Sequence, residues 1–145
     1  MATVESFLSS EEEQRIIQTI REVEGTTSGE IRVHLEPSCT IPIVDRAYEV
    51  FHYLKMDLTQ ARNGVLIYVA VEDQKFAIYG DVGIDKVVPN DFWESTKEII
   101  LKHFKQGDFT KGLIEGIQLA GKELQAYFPW EANDTNELPN EISRG

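Results

Sequence analysis

Apolar residues near the start of the chain recur every three to four positions, then every second position, then every three to four again. Ser9-Ser10-Glu11-Glu12-Glu13 contains two overlapping capping boxes, Ser9 with Glu12 and Ser10 with Glu13. The acidic first turn suits the positive end of a helix dipole. Ile16, Ile17, Ile20 and Val23 then share one helical face, and Gly25 marks the stop. From Glu30 to Leu35 the period drops to two. Ile31, Val33 and Leu35 alternate with Glu30, Arg32 and His34, which predicts a strand with one polar-leaning face. Pro37 and Pro42 bracket a loop, and Ala47, Val50, Phe51 and Leu54 restore helical spacing.

Two β-branched and aromatic runs follow, at about 64–71 and 75–80, and meet at the polar turn Glu72-Asp73-Gln74 as a β-hairpin. Pro89 is placed to open a third helix carrying Phe92, Trp93, Thr96, Ile99, Ile100, His103 and Phe104. A fourth helix after Gly107-Asp108 carries Leu113, Ile117, Ala120, Leu124 and Phe128. From about Glu131 the chain is polar. The expectation is one domain over residues 7–130 and a disordered tail over 131–145. A strand–helix–strand crossover makes the first two strands parallel with a right-handed connection, and the hairpin makes the third antiparallel. Helices must cover such a sheet, so the expected fold class is α/β: a three-layer α/β/α sandwich with a small mixed sheet.

That topology brings distant residues to one sheet edge. Glu30 starts the first strand, Asn63 precedes the second and Asp81 follows the third. Ser28 leads into the same edge, the second helix ends there near Asp57, and Arg62 adjoins Asn63; Asp73 belongs to the opposite edge. The third strand runs into Gly80-Asp81-Val82-Gly83-Ile84-Asp85, where small residues alternate with carboxylates. Glu30, Asp81 and Asp85 are therefore the expected cation ligands, with Ser28, Asp57, Arg62 and Asn63 lining the cleft. Oxygen-only ligands favour Ca²⁺ or Mg²⁺. The spacing is not that of an EF-hand, which needs more oxygens and a distant glutamate. The competing structural reading makes Asp81 and Asp85 caps and pairs Glu30 with Arg62.

Composition narrows the partners. The 145 residues carry 14 Lys+Arg against 25 Asp+Glu, a formal charge of −11, with the basic residues scattered. Such a surface repels phosphate backbones and anionic membranes, so neither nucleic acid nor a membrane is expected as a partner. No apolar run approaches the roughly 20 residues needed to span a bilayer, and Met1-Ala2-Thr3-Val4-Glu5 does not resemble a signal peptide. One cysteine, Cys39, excludes an internal disulfide, and a cytoplasmic location is expected. Cys39 and Arg46 are one residue too far apart for a cysteine phosphatase loop, and the intervening segment has an acid and no glycine. His34, His52 and His103 occur singly and are expected to be structural. There is no Walker loop, dinucleotide fingerprint or nucleophile elbow.

Four segments together resemble a known family. They are Thr27-Ser28-Gly29-Glu30-Ile31-Arg32-Val33, Arg62-Asn63-Gly64-Val65-Leu66-Ile67, Phe76-Ala77-Ile78-Tyr79-Gly80-Asp81-Val82-Gly83-Ile84, and the late Gly107 with Gly112-Leu113. The chain is similar to TPM domains, found in a thylakoid-lumen phosphatase-like protein and in many bacterial proteins, over about Phe7 to Phe128. The resemblance implies an α/β/α sandwich with a cleft at one sheet edge and divalent-cation binding by acidic residues there. These map onto Glu30, Asp81 and Asp85, with Asn63 as neighbour. Members have been linked to acid phosphatase activity, to photosystem repair and to accessory roles. Many carry a signal peptide, a membrane helix and a Gly-Tyr-Gly-like strand end. Here the strand end is Gly80-Asp81-Val82-Gly83 and neither flanking segment is seen. Two functions are expected from this: a divalent-cation-binding accessory module that engages a protein partner, or a metal-assisted acid phosphatase acting on phosphomonoesters.

Overall fold

The computed structural model describes residues 8–59, 61–130 and 142–144. Helix α1 (Ser10–Glu24) starts at the first of the two capping boxes. Ser9 Oγ accepts the Glu12 amide at 3.1 Å, and Glu12 Oε1 accepts the Ser9 amide at 2.9 Å. Strand β1 (Glu30–Glu36), helix α2 (Ile43–Tyr53) and a 3₁₀ turn (Met56–Leu58) lead to the hairpin of β2 (Gly64–Ala70) and β3 (Lys75–Gly80). A single helical turn, α3 (Val82–Asp85), precedes the long pair α4 (Glu94–Lys105) and α5 (Phe109–Gln125). A two-residue strand, β4 (Ser143–Arg144), completes the described elements.

The sheet order is β3-β2-β1-β4. β1 runs parallel to β2 from Glu30 opposite Gly64 to Glu36 opposite Ala70, and β2 runs antiparallel to β3. The alternation of strand side chains divides the interior into two cores. Ile31, Val33, Leu35, Val65, Ile67 and Val69 face the apolar stripes of α1, α4 and α5. Leu66, Tyr68, Ala70 and Ala77 face Ala47, Val50 and Phe51 of α2 and Met56 beyond it. This is the expected α/β/α sandwich with a mixed sheet. Among the described residues no helix is long and apolar enough to cross a membrane.

Three local features differ from expectation. The third helix begins at Glu94 instead of Pro89, because Pro89–Trp93 form turns closed by Phe92 N to Pro89 O and Glu94 N to Asp91 O, each 3.1 Å. In a helix the adjacent Phe92 and Trp93 would diverge by about 100°. In the turn, both rings pack. The polar-leaning face of β1 is largely buried, with Glu30, His34 and Glu36 at 4%, 3% and 6% exposure; Arg46 of α2 closes on Glu36, and β4 pairs alongside His34 and Leu35. Of the expected tail, residues 131–141 and 145 lie outside the described residues. Ile142 is buried in the larger core, and β4 pairs with His34 and Leu35 of β1.

Candidate functional site

The edge where β1 and β2 begin and β3 ends is organised around Gly64. The Glu30 amide donates to Asn63 O at 3.3 Å, and the Asp81 amide donates to Gly64 O at 3.0 Å. By strand alternation Glu30 and Asp81 fall on the same face, beyond opposite sides of Gly64. Their α-carbons are therefore separated by two strand spacings, roughly 10 Å. Gly64 places no side chain between them.

Asp81 is the most constrained group at this edge. Its side chain is 2% exposed and takes the Arg62 guanidinium through Nε to Oδ2 at 2.9 Å and Nη2 to Oδ1 at 3.2 Å. Oδ1 also accepts the Val82 amide at 2.7 Å, capping α3. Arg62 adopts a left-handed backbone (φ 52), which turns the chain so that the guanidinium reaches back to β3. The pairing with Asp81, and secondarily the charge of Asp57, raise the Arg62 pKa further above its ordinary value.

Asp85, one turn after Asp81, is held above the usual carboxylate range by burial and by the Asp81 charge. Glu30 has a different neighbour. Glu24, at the end of α1, is pushed up to about 8 by burial and by the charge of Glu30. The carboxylates are thus drawn into two repelling pairs, Glu24 with Glu30 and Asp81 with Asp85. Among the described residues no group of three or more His, Cys, Asp or Glu gathers closely enough to hold a metal ion. Asn63 reaches Ser28 through its side chain: Asn63 Nδ2 donates to Ser28 O at 3.2 Å. The Ser28 amide donates to Phe128 O at 2.9 Å, which ties the loop to the end of α5. Sequence reasoning missed Glu24, because its helical position gives no sign that its carboxyl meets Glu30.

The raised Glu24 pKa has a measurable consequence. A carboxyl titrating near 8 when folded and near 4.5 when unfolded stabilises the fold fully below pH 4.5, and that stability is lost as pH rises to about 8. Glu24→Gln is therefore expected to stabilise the protein by about 1 kcal/mol or more at pH 9 and to leave it nearly unchanged at pH 4. Urea midpoints at the two pH values check this. Equal effects at both would remove the Glu24–Glu30 repulsion.

A second polar group lies at the opposite ends of β1 and β2. Glu36, 6% exposed, accepts from Arg46 Nε at 3.0 and 3.2 Å, from Arg46 Nη2 at 2.5 Å, and from Tyr68 Oη at 2.5 Å. His34 Nε2 lies 3.2 Å from Glu36 Oε1, and Nδ1 lies 2.9 Å from Ser143 Oγ. An ionised Glu36 makes Nε2 the protonated nitrogen, so Nδ1 accepts from Ser143. Burial pushes Glu36 up, but the bonds from Arg46, Tyr68 and His34 outweigh it and hold the carboxyl at about 2. Burial keeps His34 below its ordinary pKa. Every charge here has a partner. The expectation that His34 is structural agrees with this network, whereas nothing in the sequence pattern joins Glu36, Arg46 and Tyr68.

Known proteins place this architecture. The TPM domain family model matches residues 3–123. The fold superimposes on the NMR structure of the BA42 protein from the psychrophilic bacterium Bizionia argentinensis with a TM-score of 0.94, at 56% identity over 100% of both chains. An N-terminal domain from P. gingivalis aligns at TM-score 0.70 and 18% identity, over 87% of this chain and 82% of that one. The N-terminal domain of the cg2496 protein from Corynebacterium glutamicum aligns at 0.65 and 12% identity, over 93% and 79%. At those identities the last two likenesses concern the fold alone. No curated protein sequence matches. With the family model spanning most of the chain and a 56%-identical structure spanning all of it, the chain belongs to the TPM domain family.

Proposed function

We propose that the protein is a divalent-cation-binding module of the TPM family, using the strand-start edge that carries Glu30, Asp81 and Asp85 and serving a protein partner. One observation carries the reading: Glu30 and Asp81 stand buried on the same face of one sheet edge, 4% and 2% exposed, and burial and their charge oppose ionisation of the neighbouring carboxyls Glu24 and Asp85. Repulsion of this kind is relieved by a cation of high charge, and oxygen donors suit Ca²⁺ or Mg²⁺. Arg62 already neutralises Asp81, so a metal ion would take over part of that role. The Arg62 side chain is 45% exposed, so solvent and ions reach the pair.

Calcium and magnesium titrations followed by backbone amide shifts test the reading. Saturable shifts confined to the surroundings of Glu24, Glu30, Asn63 and 81–85 are expected, with a rise in melting temperature. Asp81→Asn combined with Asp85→Asn should abolish that rise while the variant still unfolds cooperatively. An unchanged calcium response in the double variant would eliminate these residues as ligands.

The phosphatase alternative draws on Arg62, an exposed guanidinium beside the carboxylates, which would bind a phosphomonoester once a metal ion offsets the acidic edge. Against it, Asp81 holds that guanidinium by two hydrogen bonds. Binding without chemistry is therefore the better-supported reading. Metal-dependent aryl phosphate turnover that falls at least tenfold in Glu30→Gln would reverse the preference.

A further inference from the structure

The connection from α3 to α4 folds back on itself and borders a half-open cavity of about 350 Å³ lined by Asp85, Val88, Pro89, Asn90, Phe92 and Trp93. Its backbone is closed by Val88 N to Ile84 O at 3.2 Å and Phe92 N to Pro89 O at 3.1 Å. Phe92 and Trp93 meet edge to face, with centroids 4.7 Å apart and planes at 79°. Tyr127 braces the back of Phe92, centroids 5.5 Å apart at 77°. The indole is set by its packing on β3: a Cβ on Gly80 would lie 3.5 Å from Trp93 Cζ2 and Nε1. Two aromatic rings set at nearly right angles thus line the cavity, held by Tyr127 and by the close approach of Gly80.

The remaining feature is charge. Asp85 lines this cavity and, among the described residues, has no basic side chain within ion-pair distance. We propose that this cavity binds a quaternary ammonium group, with Trp93 and Phe92 as aromatic walls and Asp85 as counter-charge. Anions are repelled by Asp85 and Asp81. A hard metal ion needs six or more oxygens, and the lining supplies side-chain oxygens from Asp85 and Asn90 only. A primary ammonium must satisfy three strongly hydrated donors. A tetraalkylammonium has none to satisfy and gains from ring faces and a nearby negative charge. The volume falls in the roughly 300–1,000 Å³ range of small-ligand sites.

This site is distinct from the metal edge, although Asp85 borders both, so its test uses reporters that the metal reading does not. The full chain is titrated with tetramethylammonium chloride, following the Trp93 indole N–H and the amides of 86–93, with sodium chloride as the ionic-strength control. Saturable shifts in the millimolar range, confined to that segment, are expected. Asp85→Asn and Trp93→Leu should each weaken binding at least fivefold. Trp93→Phe, which keeps a ring against Gly80, should bind with intermediate affinity and guards against simple unfolding. Choline binding more tightly than a trimethyl-lysine peptide identifies a free solute as the source of the group, and the reverse order identifies a modified protein. Shifts matched by sodium chloride overturn the proposal, as does binding that survives both Asp85→Asn and Trp93→Leu. Calcium shifts at Glu30 and Asp81 are read separately on the same sample, so either reading can fail alone.

Discussion

Gly83→Ala is expected to destabilise the protein by about 2–4 kcal/mol and to disrupt the Arg62–Asp81 pair. A Cβ at Gly83 would sit 2.3 Å from Ala61 O, 2.4 Å from Arg62 O and 2.9 Å from Arg62 C. These are backbone atoms, not the flexible end of a side chain. The Gly83 amide also donates to Arg62 O at 2.9 Å, so α3 and the 61–62 segment approach each other along that bond. Relief requires moving Arg62, whose left-handed backbone aims its guanidinium at Asp81. Overpacking in a well-filled site typically costs about 1–3 kcal/mol, and a weakened charge-assisted hydrogen bond adds to it. The check is a lower urea midpoint at unchanged slope, together with displaced Arg62 side-chain resonances. An alanine variant of parental stability, with Arg62 resonances in place, would show that the loop yields freely.

Glu36→Gln is expected to cost about 3 kcal/mol at pH 7. The carboxylate accepts bonds from Arg46, Tyr68 and His34 at once, and an amide cannot accept all of them. Removing one partner of a buried pair typically costs about 3–5 kcal/mol. The Arg46 side chain is 38% exposed, so water compensates part of its loss and the lower end applies. The pH dependence has a definite sign. With Glu36 at about 2 when folded and near 4.5 when unfolded, its contribution is complete above pH 4.5 and is lost as pH falls to about 2. The stability gap between parent and Glu36→Gln should therefore narrow across that window. A gap that stays constant from pH 7 to pH 2.5 would contradict the assigned ionisation.

The Glu36 network also shows why the pattern of β1 does not reveal its buried polar face. Alternation places Arg32, His34 and Glu36 on one face of β1, and a polar face ordinarily meets water. Burial is tolerated here because partners arrive from three other elements: Arg46 from α2, Tyr68 from β2 and Ser143 from β4. None is near in sequence, apart from Arg46 ten residues on. The same reasoning explains Glu24. The acidic run of α1 signals a helix start at Ser9, but whether its last glutamate meets water or another carboxylate depends on where the loop after Gly25 carries Glu30. Strand order alone places Asp81 and Arg62 at one edge. That Arg62 pairs with Asp81 instead of Glu30 follows from the backbone turn at Arg62.

The sequence by itself determined most of the periodic elements, the parallel pairing of β1 with β2 and antiparallel pairing of β2 with β3, the α/β/α layering and the edge at which Glu30, Asn63 and Asp81 lie. Each follows from local periodicity, capping and chain connectivity, which act over a few residues or through handedness rules. Tertiary structure alone decided which carboxylates face each other, that Ser143 closes on His34, and that Phe92 and Trp93 form perpendicular walls beside Asp85. Those outcomes depend on side-chain separations of a few ångströms between elements distant in sequence. At that range Coulomb energies and desolvation change steeply with distance, and the spacing of residues along the chain carries no record of it.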